Sequence, residues 1–172
     1  MIKNILCGDV TALTNPPKDI IIGMNSELGD LSALGCQIFR DQLPRSELID
    51  LGTVLSFRYD KERMVHAIIC HHLGNGGWRN ANNYVRVALD HLWLTCGYRQ
   101  FGIVQIGKGR VGIRDGANSI QITEAIASSY LHVDLYIHDD QVAVEEQEAS
   151  GRVLHFLEGW NQTKGNLVAT AA

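Results

Sequence analysis

Proline is scarce, at 3 residues in 172. That excludes a proline-rich linker or an extended polyproline segment. No run approaches the roughly 20 apolar residues that a membrane-spanning helix requires. Near the N-terminus only Ile5-Leu6-Cys7 precede Gly8-Asp9, too short a stretch for the apolar core of a signal peptide. Positive charge is in deficit: 15 Lys and Arg stand against 19 Asp and Glu, a net charge of −4. A broad nucleic-acid footprint needs the opposite balance. The four cysteines, Cys7, Cys36, Cys70 and Cys96, form no CxxC pair. Without metal or disulfide spacing they read as free thiols in a reducing cytosol, with Cys7 and Cys70 at the ends of apolar runs where a small thiol packs well. No metal and no cofactor is expected.

What is present describes one ordinary domain. The length fits one unit of roughly 150 residues, large enough to bury about 70 % of the unfolded surface. Hydrophobic residues at 45 % and charged residues at 20 % are globular values. Glycine is abundant, at 17 residues. Glycine without proline marks positions of unusual backbone geometry or close approach.

The patterning alternates. Residues 2–7 read as a strand ended by Gly8-Asp9, and Thr14-Asn15-Pro16-Pro17 as a turn. Ile20-Ile21-Ile22, within a strand over 19–24, fits burial on both faces. Leu31, Leu34, Ile38 and Phe39 predict a helix over 31–42, stopped by Pro44. Strands over 53–59 and 64–70, joined by Asp60-Lys61-Glu62-Arg63, read as antiparallel neighbours. A loop with Gly74, Gly76 and Gly77 precedes an amphipathic helix over 81–96, marked by Val85, Ala88, Leu89, Leu92, Trp93 and Cys96. Gly97 is its C-cap. A strand over 101–106, a glycine-rich loop to Gly116, a helix over 119–130 with capping-box spacing at Asn118 and Gln121, and a strand over 133–137 follow. Strand–helix alternation implies parallel crossovers and a sheet covered on both faces. Residues 139–148 carry five acids and no base, the solvated face of a terminal helix continuing through Leu157. The last dozen residues read as loose, so 140–172 are a helical extension and tail to a domain over 1–139.

Candidate chemistry lies at strand ends. Gly107-Lys108-Gly109-Arg110-Val111-Gly112 follows a strand and precedes a helix. Its glycines let backbone N–H groups converge on a phosphate, or simply make a tight turn. Lys108 and Arg110 contact an anion or are solvated. Gly23-Met24-Asn25-Ser26, then Gly29-Asp30, sit where open α/β sheets bind ligands. Asn25 bonds a sugar hydroxyl or forms an Asx turn or cap. Asp9 accepts from a ligand or from its own turn. His66, mid-strand, reads as a core histidine. His71 and His72 point to opposite faces, which is poor geometry for one metal, but one of them could act as a base at the strand end. Trp78 stacks on a ring or covers the core edge.

Taken in order, these motifs resemble the macrodomain family over about 2–139. Gly8-Asp9-Val10-Thr11 matches the motif ending the family's first strand. Met24-Asn25-Ser26 partly matches its asparagine motif, with Ile22 where a first asparagine stands. Ile106-Gly107-Lys108-Gly109 matches its phosphate loop. The resemblance implies a three-layer α/β/α sandwich with a mixed central sheet and an ADP-ribose cleft at the strand ends. It implies that Asp9 meets the adenine amino group beside the Val10 backbone, and that Asn25, with Ser26, faces the distal ribose. Gly29 and the stretch Gly107, Lys108, Gly109, Arg110, Val111 and Gly112 would hold the diphosphate. Within the family, the glycine loop and residues 71–83 look most similar to the terminal ADP-ribose protein glycohydrolase branch. That branch uses a lysine after the fourth strand and an aspartate in the glycine loop. His71 or His72 and Val111 stand there, with Asp115 off register, so its covalent mechanism is not carried over.

Three functions follow as expectations. The first is a cytoplasmic module binding ADP-ribose or an ADP-ribosylated protein, with no membrane or nucleic-acid partner. The second is a hydrolase of ADP-ribosyl esters, or of acylated or phosphorylated ADP-ribose, using Asn25 and His71. The third is a degenerate domain acting by protein or RNA contact. The sequence leaves the oligomeric state open.

Overall fold

The structure, a computed structural model, describes residues 1–7, 10, 17–27, 48–108, 110–137 and 169–171. The predicted helix over 31–42, the acidic stretch over 139–148 and its continuation to Leu157 lie outside these residues, as do Gly8, Asp9, Gly29 and Gly109.

Among the described residues seven strands form one sheet: β1 (Ile2–Cys7), β2 (Asp19–Asn25), β3 (Val54–Arg58), β4 (Met64–His71), β5 (Phe101–Val104), β6 (Val133–Ile137) and β7 (Ala169–Ala171). Their order is β3-β4-β2-β5-β6-β1-β7. Only the β3–β4 pair is antiparallel; every other neighbour is parallel. The sheet is therefore mixed, with the predicted hairpin as its antiparallel edge. The helices are α1 (Ala81–Cys96), α2 (Arg110–Arg114) and α3 (Ser119–Ser128). The fold is of the α/β/α sandwich class.

Two cores flank the sheet. On one face Ile21, Ile68, Phe101, Ile103, Val133 and Leu135 pack with Val85, Leu89 and Leu92 of α1 and Ile122 and Ile126 of α3. On the other, Ile20, Ile22, Met24, Val65, Ala67 and Ile69 join Val10, with Ile49 and Leu51 against them. Alternation along β2 sends its three consecutive isoleucines to both faces, and all three are buried. Parallel central strands need apolar cover on both sides, and this run supplies it.

The helix ends follow local chemistry. Asn118 Oδ1 accepts from Gln121 N–H at 3.1 Å, the predicted cap of α3. Gly97 caps α1 by donating its N–H to Trp93 O at 2.9 Å, in a right-handed conformation. Asn80, before α1, has φ +61°; asparagine tolerates that left-handed region better than most residues.

Three boundaries differ from the sequence reading. β5 stops at Val104, because Ile106 turns inward against β2. The glycine-rich stretch contains the short helix α2 rather than loop alone. Ala169–Ala171 pair in parallel with β1, although the last dozen residues carry no strand pattern.

Leu89 is fully buried and Leu94, on the outer side of the same helix, is 76 % exposed. Leu89→Ala should cost about 2–5 kcal/mol in urea unfolding, and Leu94→Ala should stay within about 0.5 kcal/mol.

Candidate functional site

The C-terminal ends of β2, β4 and β5 meet at one rim of the sheet. β2 and β4 run in step from Asp19↔Met64 to Met24↔Ile69, and then Asn25 pairs with His71. One extra residue, Cys70, is accommodated there. Such a bulge re-aims the side chains beyond it. His71 consequently stacks on Trp78, with ring centroids 3.7 Å apart and planes 10° from parallel. Its Nδ1 lies 3.5 Å from Cys70 Sγ. Trp78 belongs to the core on the α1 face, so it covers the core edge and presents a ring face to His71 at once. Its Nε1 has no hydrogen-bond partner among the described residues.

His71 is 6 % exposed. Burial pushes its imidazole down to about 4, against a smaller opposing pull from Glu27 and Asp115. It is neutral near pH 7 and a weak base. His72, just past the end of β4, is exposed. Its Nδ1 is 3.0 Å from Glu27 Oε1, and Glu27 Oε2 accepts from Leu73 N–H at 3.0 Å. Slight burial pushes the Glu27 carboxyl up, but these bonds outweigh it and hold the group below its usual range.

A second carboxylate grips the next amide. Asp115 accepts from Gly74 N–H at 3.3 Å and takes a two-pronged contact from Arg114, at 2.8 and 3.2 Å. Arg114 is the main reason its carboxyl sits below the ordinary value. The loop between β4 and α1 is thus held from both sides. It can follow this path because Gly74 and Gly76 adopt φ of +91° and +76°.

The glycine loop after β5 is built by close approach. A Cβ on Gly112 would stand 2.7 Å from Gly107 O, so the start of α2 folds directly onto the loop's first residue. Gly107 itself has φ +85°. Both glycines have a packing reason independent of any ligand. Ile106 reaches across to β2, where a Cβ on Gly23 would stand 3.0 Å from its Cγ2. That contact sets the glycine loop beside Asn25.

The structure therefore brings Asn25, His71, Gly107, Lys108 and Gly112 to one rim. Asn25 is buried at 2 % exposure. Ser26 is buried as well; its hydroxyl donates to Ile49 O, and its N–H donates to His71 O at 2.9 Å. Its polar groups are thus engaged in holding the strand ends. The Val10 side chain packs in the second core. Arg110 and Val111 open α2; Asp9, Gly29 and Gly109 lie outside the described residues. Sequence reasoning missed Glu27 and left Asp115 off register. The only signal for Glu27 was its place two residues beyond Asn25; Asp115 joins the site through the turn after α2.

The depressed His71 sets a pH dependence. The unfolded imidazole takes a proton near pH 6.5, while the folded one resists until about 4. Stability is full above pH 6.5, falls as pH drops toward 4 and levels below it, a loss of about 3 kcal/mol. Urea unfolding at stepped pH should show that slope, and His71→Phe, which keeps a stacking ring, should flatten it.

No protein-family model matches the chain, and no curated protein matches it. Solved structures do. A macrodomain protein from Streptomyces coelicolor superposes with TM-score 0.56 at 16 % identity, over 80 % of this chain and 99 % of that one. The Oceanobacillus iheyensis macrodomain with ADP gives 0.58 at 13 % identity, over 88 % and 89 %. A mutant of the same protein with ADPR gives 0.59 at 12 % identity, over 90 % and 92 %. At these identities the likeness establishes architecture: the chain has the macrodomain fold.

Proposed function

We propose that the chain binds ADP-ribose, free or attached to a protein, in the cleft at the C-terminal ends of its strands. One observation carries this reading: the ends of β2, β4 and β5 are packed into a single rim by the Ile106–Gly23 contact, with Asn25, His71 and the Gly107 loop upon it. Open α/β sheets bind ligands at this edge. The O. iheyensis macrodomain, of the same fold, has been solved with ADP and with ADPR. In this reading Asp9 accepts from the adenine amino group beside the Val10 backbone. Asn25 faces the distal ribose. Backbone donors from Gly107 to Gly112, with the loop at Gly29, hold the diphosphate. Backbone donors need no excess of basic side chains, so a net charge of −4 is compatible with an anionic ligand.

A second reading, ADP-ribosyl ester hydrolysis, is favoured by the Glu27–His72 pair. A proton on His72 Nδ1, donated to Glu27, leaves Nε2 as an acceptor exposed at the rim. Such an oriented imidazole can take a proton from water. His71, buried and weakly basic, is less suited to that step. His71 and Asn25 then position the substrate rather than activate water.

Calorimetry separates these outcomes. ADP-ribose should release heat and raise the melting temperature, because a ligand of the folded state stabilises it. AMP should bind more weakly, and Asp9→Ala should weaken ADP-ribose by about tenfold or more, the loss of one hydrogen bond to a charged group. No heat with ADP-ribose at high protein concentration, or binding of RNA alone, overturns the reading. For the hydrolase, ADP-ribosyl ester turnover should fall about a hundredfold in Glu27→Gln or His72→Ala while ADP-ribose still binds. An ester left intact after long incubation refutes it.

A further inference from the structure

A second constellation lies away from the rim, on the antiparallel side of the sheet. Asp19 opens β2, His66 sits mid-way along β4, and Ser56 lies on β3. Ser56 Oγ is 2.8 Å from His66 Nδ1, and His66 Nε2 is 2.8 Å from Asp19 Oδ1. Asp19 Oδ1 also accepts from Arg99 at 3.1 Å. His66 and Asp19 are buried, at 4 % and 6 % exposure, and the His66 ring meets Phe101 edge to face at 5.5 Å. Ser56 alone of the three is exposed.

The chain of bonds fixes where the protons lie. The Asp19 carboxylate, paired with Arg99, only accepts, so His66 Nε2 carries its hydrogen. In the neutral imidazole Nδ1 then holds a lone pair, which accepts from the Ser56 hydroxyl. Nucleophile, base and orienting acid stand in the order that activates a serine.

The ladder explains why Ser56 reaches. Tyr59 N–H donates to Arg63 O, and Ile69 N–H to Thr53 O, each at 2.9 Å. Hydrogen-bonded pairs alternate with non-bonded pairs along antiparallel strands. Counting from either bond, Ser56 and His66 form a non-bonded pair. Such pairs bring Cα atoms to about 4.5 Å and side chains closest. The same phase turns the Ser56 N–H away from β4, and among the described residues β3 is the terminal strand of the sheet. An oxyanion forming beside Oγ would have that amide as a donor.

We propose that Ser56, His66 and Asp19 form an acyl-transfer site that hydrolyses small carboxylic esters. Oγ attacks the ester carbonyl carbon while His66 Nδ1 takes the hydroxyl proton. The bond from carbon to the alkoxy oxygen breaks, and that oxygen leaves with the proton from His66. Water, deprotonated by His66, then attacks the acyl-serine, releasing the acid and restoring Ser56. Ser56 and His66 are catalytic residues; Asp19 is a positioning residue that fixes the tautomer.

A fluorophosphonate tests this on the full chain, with no nucleotide present, so the result stands whatever the cleft binds. An activated serine forms an Oγ–P bond and expels fluoride. Peptide mass mapping should find Ser56 modified at least about a hundredfold faster in the folded chain than in the urea-unfolded chain. Ser56→Ala, at an exposed position that keeps the fold, should abolish the label. Asp19→Asn should slow it and alter its pH profile in protein whose circular dichroism is unchanged; an unaltered rate and profile removes Asp19 from the mechanism. Ser56 reacting no faster folded than unfolded, or labelling equal in Ser56→Ala, overturns the proposal.

Discussion

The extra residue at the end of β4 governs the cleft. Strict alternation would set His71 opposite to Cys70, on the face that holds Ile69 and Val65. The register shift between Met24 and Asn25 instead aligns His71 with Asn25, and the imidazole comes to lie on Trp78 at the α1-face core. Without that shift, the imidazole would point to the opposite core, away from Trp78. Its depressed basicity, its stacking and its place beside Asn25 all descend from one irregularity in an otherwise regular ladder.

The neighbouring loops depend on that rim in turn. Glu27 holds the amide of Leu73 and Asp115 holds the amide of Gly74. Consecutive amides of one loop are thus fixed by acids from two others. The missing Cβ of Gly23 lets the loop after β5 pack on β2, and that of Gly112 lets the same loop close on Gly107. Polar clamps thus tie the β4–α1 loop to its two neighbours, and glycine contacts tie those neighbours to each other.

How much of this the sequence disclosed depended on how local each signal was. The apolar spacing of Val85, Ala88, Leu89 and Leu92 marked α1 over Ala81–Cys96, although Trp93, read into the same stripe, is 44 % exposed, and the Ile20-Ile21-Ile22 run marked β2 as buried on both faces. Asn118 and Gln121, three apart, marked a cap that forms as expected. His66 read as a satisfied core histidine, and it is bonded on both ring nitrogens. Its partners were not legible, because Asp19, Ser56 and Arg99 come from distant parts of the chain and meet only through strand order. The bulge at Cys70 was invisible for a related reason: it is a property of two strands together. Ala169-Thr170-Ala171 lacks the bulky branched pattern of a strand, and its pairing is supplied by β1. Gly112 was readable as a glycine that mattered, but its reason is contact with Gly107 rather than a ligand alone.

Two histidines on one strand show where fold ends and chemistry begins. His66 and His71 are five residues apart on β4 and almost equally buried, at 4 % and 6 % exposure. Burial alone would give them one character. His66 has a carboxylate at 2.8 Å on one nitrogen and a hydroxyl at 2.8 Å on the other. His71 has an indole face and a thiol whose own burial pushes it up to about 12. The first is oriented by a carboxylate on one side and meets a hydroxyl on the other; the second is kept neutral and held flat. The sheet gives both positions the same shelter from water, and the side chains that strand order happens to deliver decide what each position can do. A shared fold accordingly locates a cleft, while the chemistry at any point on the sheet has to be argued from the groups that surround it.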